Sequence, residues 1–145
     1  MGQMDGTEDH RWIVVLDINL VVAAYWNQTS ASARIIRACI DGRLVPAFTD
    51  KMISGMWRIL RNISASQRYL DEVVEPLLEL GKDTEPMTAP VVSEDPEDQA
   101  FLECAAGADA DYLITSDRHL LKLSNSGRTA ILTPTEFLRR VGLGA

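Results

Sequence analysis

Three aspartates stand where a short carboxylate can do chemistry. Asp17 ends the apolar run WIVVL, Asp117 follows YLITS, and Asp98 falls in the first turn of a helix opened by DPEDQ. Singly, each has an ordinary explanation. Asp17 can brace a turn through its own backbone, Asp98 complements a helix macrodipole, and Asp117 can cap a short helix. Together they point further, because two strand ends and one helix start can converge on one crevice. Three carboxylates brought together cannot all ionise comfortably near neutral pH without a counter-charge. A hard divalent cation is the usual remedy, and Mg2+ or Mn2+ suits an all-carboxylate set better than zinc. Such an ion lowers the pKa of a bound water and stabilises a phosphate undergoing displacement. Asn19, two residues past Asp17, is placed to hydrogen-bond a neighbouring carboxylate and hold it in position.

The elements that must position these acids are legible from periodicity. Trp12 to Leu16 is too short and too valine-rich for a helix and reads as a buried strand. A helix follows within Leu20 to Trp26. Ser30 caps the next, with Ala33, Ile36 and Ile40 on one side, and Asp41-Gly42 stops it. Leu44 to Phe48 reads as a second strand, with Pro46 indicating an edge or an irregular start. Thr49 or Asp50 opens a helix bearing Met52, Ile53, Met56, Ile59 and Leu60. Residues 65 to 80 read as helix, kinked or split at Pro76. Residues 81 to 90 form a polar connector, and Val91-Val92 a short strand. Asp95 or Ser93 caps the helix that begins at Pro96. Tyr112 to Thr115 is a buried strand, Arg118 to Leu123 a brief helix, Ala130 to Leu132 a last strand and Thr135 to Val141 a last helix. Strands alternating with helices make an α/β fold, a parallel sheet with helices on both faces. In such sheets functional groups gather beyond the carboxyl ends of the strands, where Asp17 and Asp117 fall.

The chain has 145 residues, 46% hydrophobic and 24% charged, which fits one domain with a single core. Residues 1–10 read as a disordered leader and 11–145 as a single domain. No apolar run approaches the ~20 residues of a membrane span, and the polar, acidic start lacks a signal pattern, so a cytoplasmic protein is expected. The net charge of −7 argues against broad capture of nucleic acid but not against a local basic rim. Arg118 and Lys122 could contact phosphates there, as could Arg34 and Arg37, although a solvated helix face explains all four. Cys39 and Cys104 read as buried free thiols. His119, beside Asp117, reads as a surface histidine, and Trp26, Trp57 and Tyr112 as core or subunit packing.

VVLDIN followed by LVVAAYW, and DPEDQAFLECAAGADADYLITSDRHLLKL, resemble the two halves of PIN domains, in particular the bacterial branch that supplies toxin components of toxin–antitoxin pairs. The likeness covers about residues 12 to 138, and the second motif is the more specific. It implies a three-layer fold with a central parallel sheet of four to five strands flanked by helices, and Mg2+- or Mn2+-dependent hydrolysis of RNA phosphodiesters. By position Asp17, Asp98 and Asp117 match the family's metal-holding and catalytic acids, with Thr115 and Asn19 the supporting hydroxyl and amide. An RNA substrate, an antitoxin protein and a homodimer are the partners it implies, and Met56 and Trp57 are candidates for the dimer contact. The family's remaining glutamate, in the helix after the second strand, is matched here by Gly55. Asp50 lies about 140° around that helix from Gly55 and cannot replace it directly, and Glu103 stands in the same relation to Asp98. Gly55 therefore motivates a second reading, a degenerate PIN module that binds RNA or a protein without cutting. A receiver-type acidic pocket is a weaker third, because no adjacent acidic pair follows the first strand.

Overall fold

The computed structural model describes residues 10–143. The leader expected over residues 1–10 therefore lies, apart from His10, outside the described residues. Strand β1 (Trp12–Leu16) is the middle of the sheet, with Val14, Val15 and Leu16 fully buried. It runs parallel to β2 (Leu44–Phe48) on one side and to β4 (Tyr112–Ile114) on the other. Beyond β4 lies β6 (Thr129–Leu132), also parallel, edged by the antiparallel β5 (Asn125–Ser126). Beyond β2 lies β3 (Lys82–Asp83). The order is β3-β2-β1-β4-β6-β5, so the sheet has six strands, two of them only two residues long. The chain leaves β1 toward β2 and returns to β4 on its other side, which makes the carboxyl ends of β1 and β4 the switch point of the sheet.

The helices begin where short polar side chains satisfy their free N–H groups. Asp17 caps α1 (Ile18–Trp26), Ser30 caps α2 (Ala31–Ile40), Thr49 caps α3 (Asp50–Asn62) and Asp95 caps α6 (Pro96–Ala108). α2 stops as expected, with Gly42 in the left-handed region at φ +81°. The 65–80 stretch is helical in three pieces, α4 (Gln67–Tyr69), a π turn (Leu70–Val74) and α5 (Glu75–Glu79). The π turn ends two residues before Pro76, whose missing N–H and bulky ring disrupt the ordinary α pattern. α7 (Arg118–Leu121) and α8 (Pro134–Val141) complete the chain, the latter opened by a Thr133/Glu136 capping box. α6 packs on β1, β2 and β4, α2 on β2, and α8 on α2.

Several expectations are corrected. Pro46 is not on an edge strand: it pairs with Val14, while β3 reaches only Ala47 and Phe48, so the flank where a proline cannot donate is left free. Val91-Val92 forms no strand; the extra strand is Lys82–Asp83, formed by main-chain pairing of exposed residues that carry no hydrophobic signal. α1 begins at Ile18 rather than Leu20, directly after the acid that caps it. Met56 is 0% exposed within the chain's own core and is unavailable to a dimer contact, whereas Trp57 is half-buried. Trp26 is not a core residue but stands 67% exposed, edge-on to Tyr25. Tyr112 packs edge-on against Trp12 and Phe137, and both cysteines are buried and free. Among the described residues no helix is long and apolar enough to cross a membrane.

Candidate active site

The β1–β4 register sets the centre of the site. Leu16 stands opposite Ile114, so the residues that follow, Asp17 and Thr115, emerge side by side, and the Asp17 N–H donates to the Ile114 carbonyl at 3.0 Å. One Asp17 carboxylate oxygen accepts the Asn19 backbone N–H at 2.9 Å, and the other accepts the Thr115 hydroxyl at 2.7 Å. The Thr115 oxygen in turn accepts the Asp117 N–H at 3.0 Å. Asp17 and Asp117 are thus tied through one buried hydroxyl that is 0% exposed. Asn19 acts here through its backbone, and its side chain is exposed. Asp117 Oδ1 caps α7 by accepting the His119 N–H at 2.7 Å.

Asp98 enters from the start of α6 and is 4% exposed. Its Oδ2 is buried without a hydrogen-bond partner among the described residues. Burial first, then the charges of Asp117, Asp95 and Asp17, push its carboxyl up from 3.8 to about 6. Asp17 is also raised: burial outweighs the Asn19 and Thr115 hydrogen bonds that lower it, and Asp117 and Glu97 add to the rise. Asp17, Asp98 and Asp117 therefore feel one another's charge.

Glu97, which shares the first turn of α6 with Asp98, is a fourth carboxylate within electrostatic reach of Asp17. Periodicity could not single it out, because neighbouring helix positions point about 100° apart and only the facing wall shows where that direction leads. That wall is α3 at Gly55. A cavity of about 330 Å3 opens there, lined by Ile18, Lys51, Ser54, Gly55, Arg58 and Glu97 with apolar residues around them. A Cβ on Gly55 would meet Ile18 Cδ1 at 3.2 Å and Arg58 Nη2 at 3.8 Å. Asp50 lines a different hollow, beside Phe48 and Asp83, and Glu103 accepts a hydrogen bond from Gln99.

The other sequence candidates divide. Arg118, His119 and Lys122 are exposed on and just after α7, next to Asp117. Arg34 and Arg37 instead donate to the main-chain carbonyls of Leu143 and Gln28. A separate cleft of about 400 Å3, walled by Tyr25, Ile36, Arg37, Arg68 and Tyr69 among others, includes none of the three aspartates.

A model of the PIN domain matches residues 13–119 of the chain, a span that holds all three aspartates. The chain belongs to the PIN domain family. No curated protein and no solved structure gives a significant match. Membership makes nuclease-type function the general expectation, and PIN domains generally depend on a divalent metal.

Whether the residues of this PIN domain suit such an ion can be judged from the structure. Among the described residues, no three His, Cys, Asp or Glu side chains stand close enough, as they are, to hold one ion together. The chemistry fits nonetheless. Two of the carboxylates are raised by burial and mutual repulsion, and a buried oxygen of Asp98 lacks a partner. Such a site is relieved either by a proton, which Asp98 can share with Asp117, or by a cation.

Thr115→Val tests the hydroxyl that joins the two strand ends. Losing a buried hydrogen bond to a carboxylate costs about 1.5–3 kcal/mol. The variant is expected to melt several degrees lower at pH 7.5, while a Thr115→Ser variant stays within about a degree of wild type in a thermal scan.

Proposed function

We propose that this PIN domain is a metal-dependent ribonuclease that hydrolyses RNA phosphodiesters, with Asp17, Asp98 and Asp117 holding Mg2+ or Mn2+. The observation that carries the reading is the unpartnered Asp98 oxygen, buried where the charges of Asp117, Asp95 and Asp17 act on it. A bound ion would supply Lewis acidity, lowering the pKa of a water and offsetting charge on the phosphodiester. The chain's own contribution is placement. Thr115 and the Asn19 N–H fix both oxygens of Asp17, so that carboxylate loses little rotational freedom on ligation. Asp117 is held by its backbone N–H on Thr115 and by Oδ1, which accepts the His119 N–H. Arg118 and Lys122 offer exposed positive charge beside these acids for RNA phosphates. With this reading go a cytoplasmic setting, a homodimer, and the role of toxin in a pair with an antitoxin protein.

Isothermal titration with Mn2+ and a cleavage assay on end-labelled RNA test the proposal together. Wild type should take up Mn2+ and cut, and Asp17→Asn should do neither. Equal Mn2+ binding by both proteins, or none by either, rules out the site as drawn. Gly55 favours a second reading, a module that binds RNA or a protein without cutting, since α3 brings no acid to the cavity. A protein that shifts RNA on a gel and leaves it intact across several divalent metals supports that reading. Turnover abolished by Asp98→Asn rejects it.

A further inference from the structure

The cavity at Gly55 has a polarity that the acid cluster does not explain. Lys51, Ser54, Gly55 and Arg58 stand at i, i+3, i+4 and i+7 of α3, a spacing that puts all four on one narrow stripe. That stripe forms one wall of the cavity, with Ile18, the residue directly after Asp17, at its junction with the acids. Lys51, Ser54 and Arg58 are exposed, and among the described residues neither cation joins an ion pair, while Arg43, Arg68 and Arg128 do. The floor between them is Gly55 and the Ile18 side chain, whose Cδ1 lies 3.2 Å from where a Gly55 Cβ would stand, and Arg58 Nη2 lies 3.8 Å from the same point. A glutamate at that position would project between the two cations and neutralise them. With glycine, two positive groups and a hydroxyl face an open space.

We propose that the Lys51–Ser54–Arg58 stripe over Gly55 is a phosphate subsite, which takes a backbone phosphate of a single-stranded nucleic acid next to the one presented to the acids. The guanidinium fork matches phosphate oxygens in pairs, lysine adds a compact charge, and the serine hydroxyl donates a third hydrogen bond. Its chemical need is plain. A chain of net charge −7, with Asp17, Asp98, Asp117 and Glu97 in one neighbourhood, repels a polyanion unless cations stand close to the acids. Glu97, on the opposite wall, confines the phosphate to the α3 side. With glycine rather than an acid at position 55, that face of α3 becomes a strand-gripping one. This inference rests on the ribonuclease reading only for the identity of the polymer.

The test uses the full chain, an uncleavable fluorescent 2′-O-methyl RNA 10-mer and anisotropy in EDTA, so that uptake of Mn2+ by the acids does not enter the readout. Lys51→Gln/Arg58→Gln is expected to weaken binding about tenfold or more, and to lower the slope of log affinity against log salt by about 0.7 for each phosphate no longer neutralised. Gly55→Glu is expected to weaken binding comparably by placing a carboxylate between the cations. Arg43→Gln/Arg68→Gln, which alters cations already paired elsewhere, should leave affinity within about twofold of wild type. Unaltered melting temperatures establish that the variants are folded. Wild-type affinity and slope in both α3 variants overturn the subsite, and so does an equal loss in the Arg43/Arg68 control. A protein that fails the Mn2+ titration and passes this one keeps the subsite and loses the metal centre.

Discussion

Asp98→Asn should abolish turnover and, in the same protein, raise the melting temperature in chelator. The two effects have one cause. The Asp98 carboxyl is raised from 3.8 to about 6 by burial and by the charges of Asp117, Asp95 and Asp17, so at neutral pH the folded state carries a charge it would shed. A pKa raised in the folded state means that the folded protein binds the proton more tightly than the unfolded chain does. The penalty is fully present above about pH 6, eases as pH falls through the folded value, and is gone below the unfolded value near 4. At ~1.36 kcal/mol per unit, discounted for solvent at the rim, neutralising this group is worth about 1–3 kcal/mol at pH 7.5. Metal-free wild type should therefore melt higher at pH 5.5 than at pH 7.5, and Asp98→Asn should flatten that slope. Saturating Mn2+ should raise wild type by the equivalent of roughly 3 kcal/mol at a hundredfold excess over Kd and leave the variant unmoved. On the proposed ribonuclease reading, turnover should fall at least about 100-fold, as expected if Asp98 is a ligand to the ion. A variant no more stable than wild type, with an unchanged pH slope, would show that the neighbouring acids do not strain Asp98.

Gly107→Ala should destabilise the fold by about 2–4 kcal/mol, although alanine is the better helix former. Gly107 lies in the last turns of α6, where a Cβ would overlap the Glu85 carbonyl oxygen and crowd Thr84 Cγ2 at 3.1 Å. The neighbour is backbone and cannot turn aside. It belongs to the segment that β3 leads into, held by the Thr84 N–H on the Phe48 carbonyl and by the Met87 N–H on the Glu103 carbonyl. Pushing this segment outward loosens both α6 and the edge of β2. A chemical-denaturation series should place the midpoint well below wild type, with Gly142→Ala as a comparison in which no atom lies within 4 Å of the added Cβ and only the positive φ of +76° is strained. An increase in stability for Gly107→Ala would mean that the 84–87 segment does not lie on the helix.

Much of the frame is legible before any coordinates. WIVVL and YLI are apolar because their later residues are buried between neighbouring strands and helices, and the runs end at Asp17 and just short of Thr115. Asp95-Pro96 announces the start of α6 because an Asx cap and a fixed proline φ favour only that geometry, and Asp98 follows three residues later. What periodicity cannot supply is the partner. Lys82–Asp83 becomes a strand because Ala47 and Phe48 present free main-chain groups, a property of β2 rather than of Lys82. Met56, Ile59 and Leu60 share a helical pattern, yet only the packing makes Met56 wholly internal and leaves Ile59 half-covered.

The candidate site divides in the same way. Residue type and spacing by themselves determined that three carboxylates lie at element ends, because a charged group cannot remain inside an apolar run and a first-turn acid is favoured by the helix dipole. Tertiary structure alone decided that a threonine hydroxyl joins Asp17 to Asp117, that Glu97 comes within reach of Asp17, and that Gly55 leaves Lys51 and Arg58 facing open space. Local sequence encodes which side of an element shuns water. The groups that meet there come from segments nearly a hundred residues apart, and sheet register and helix packing bring them together.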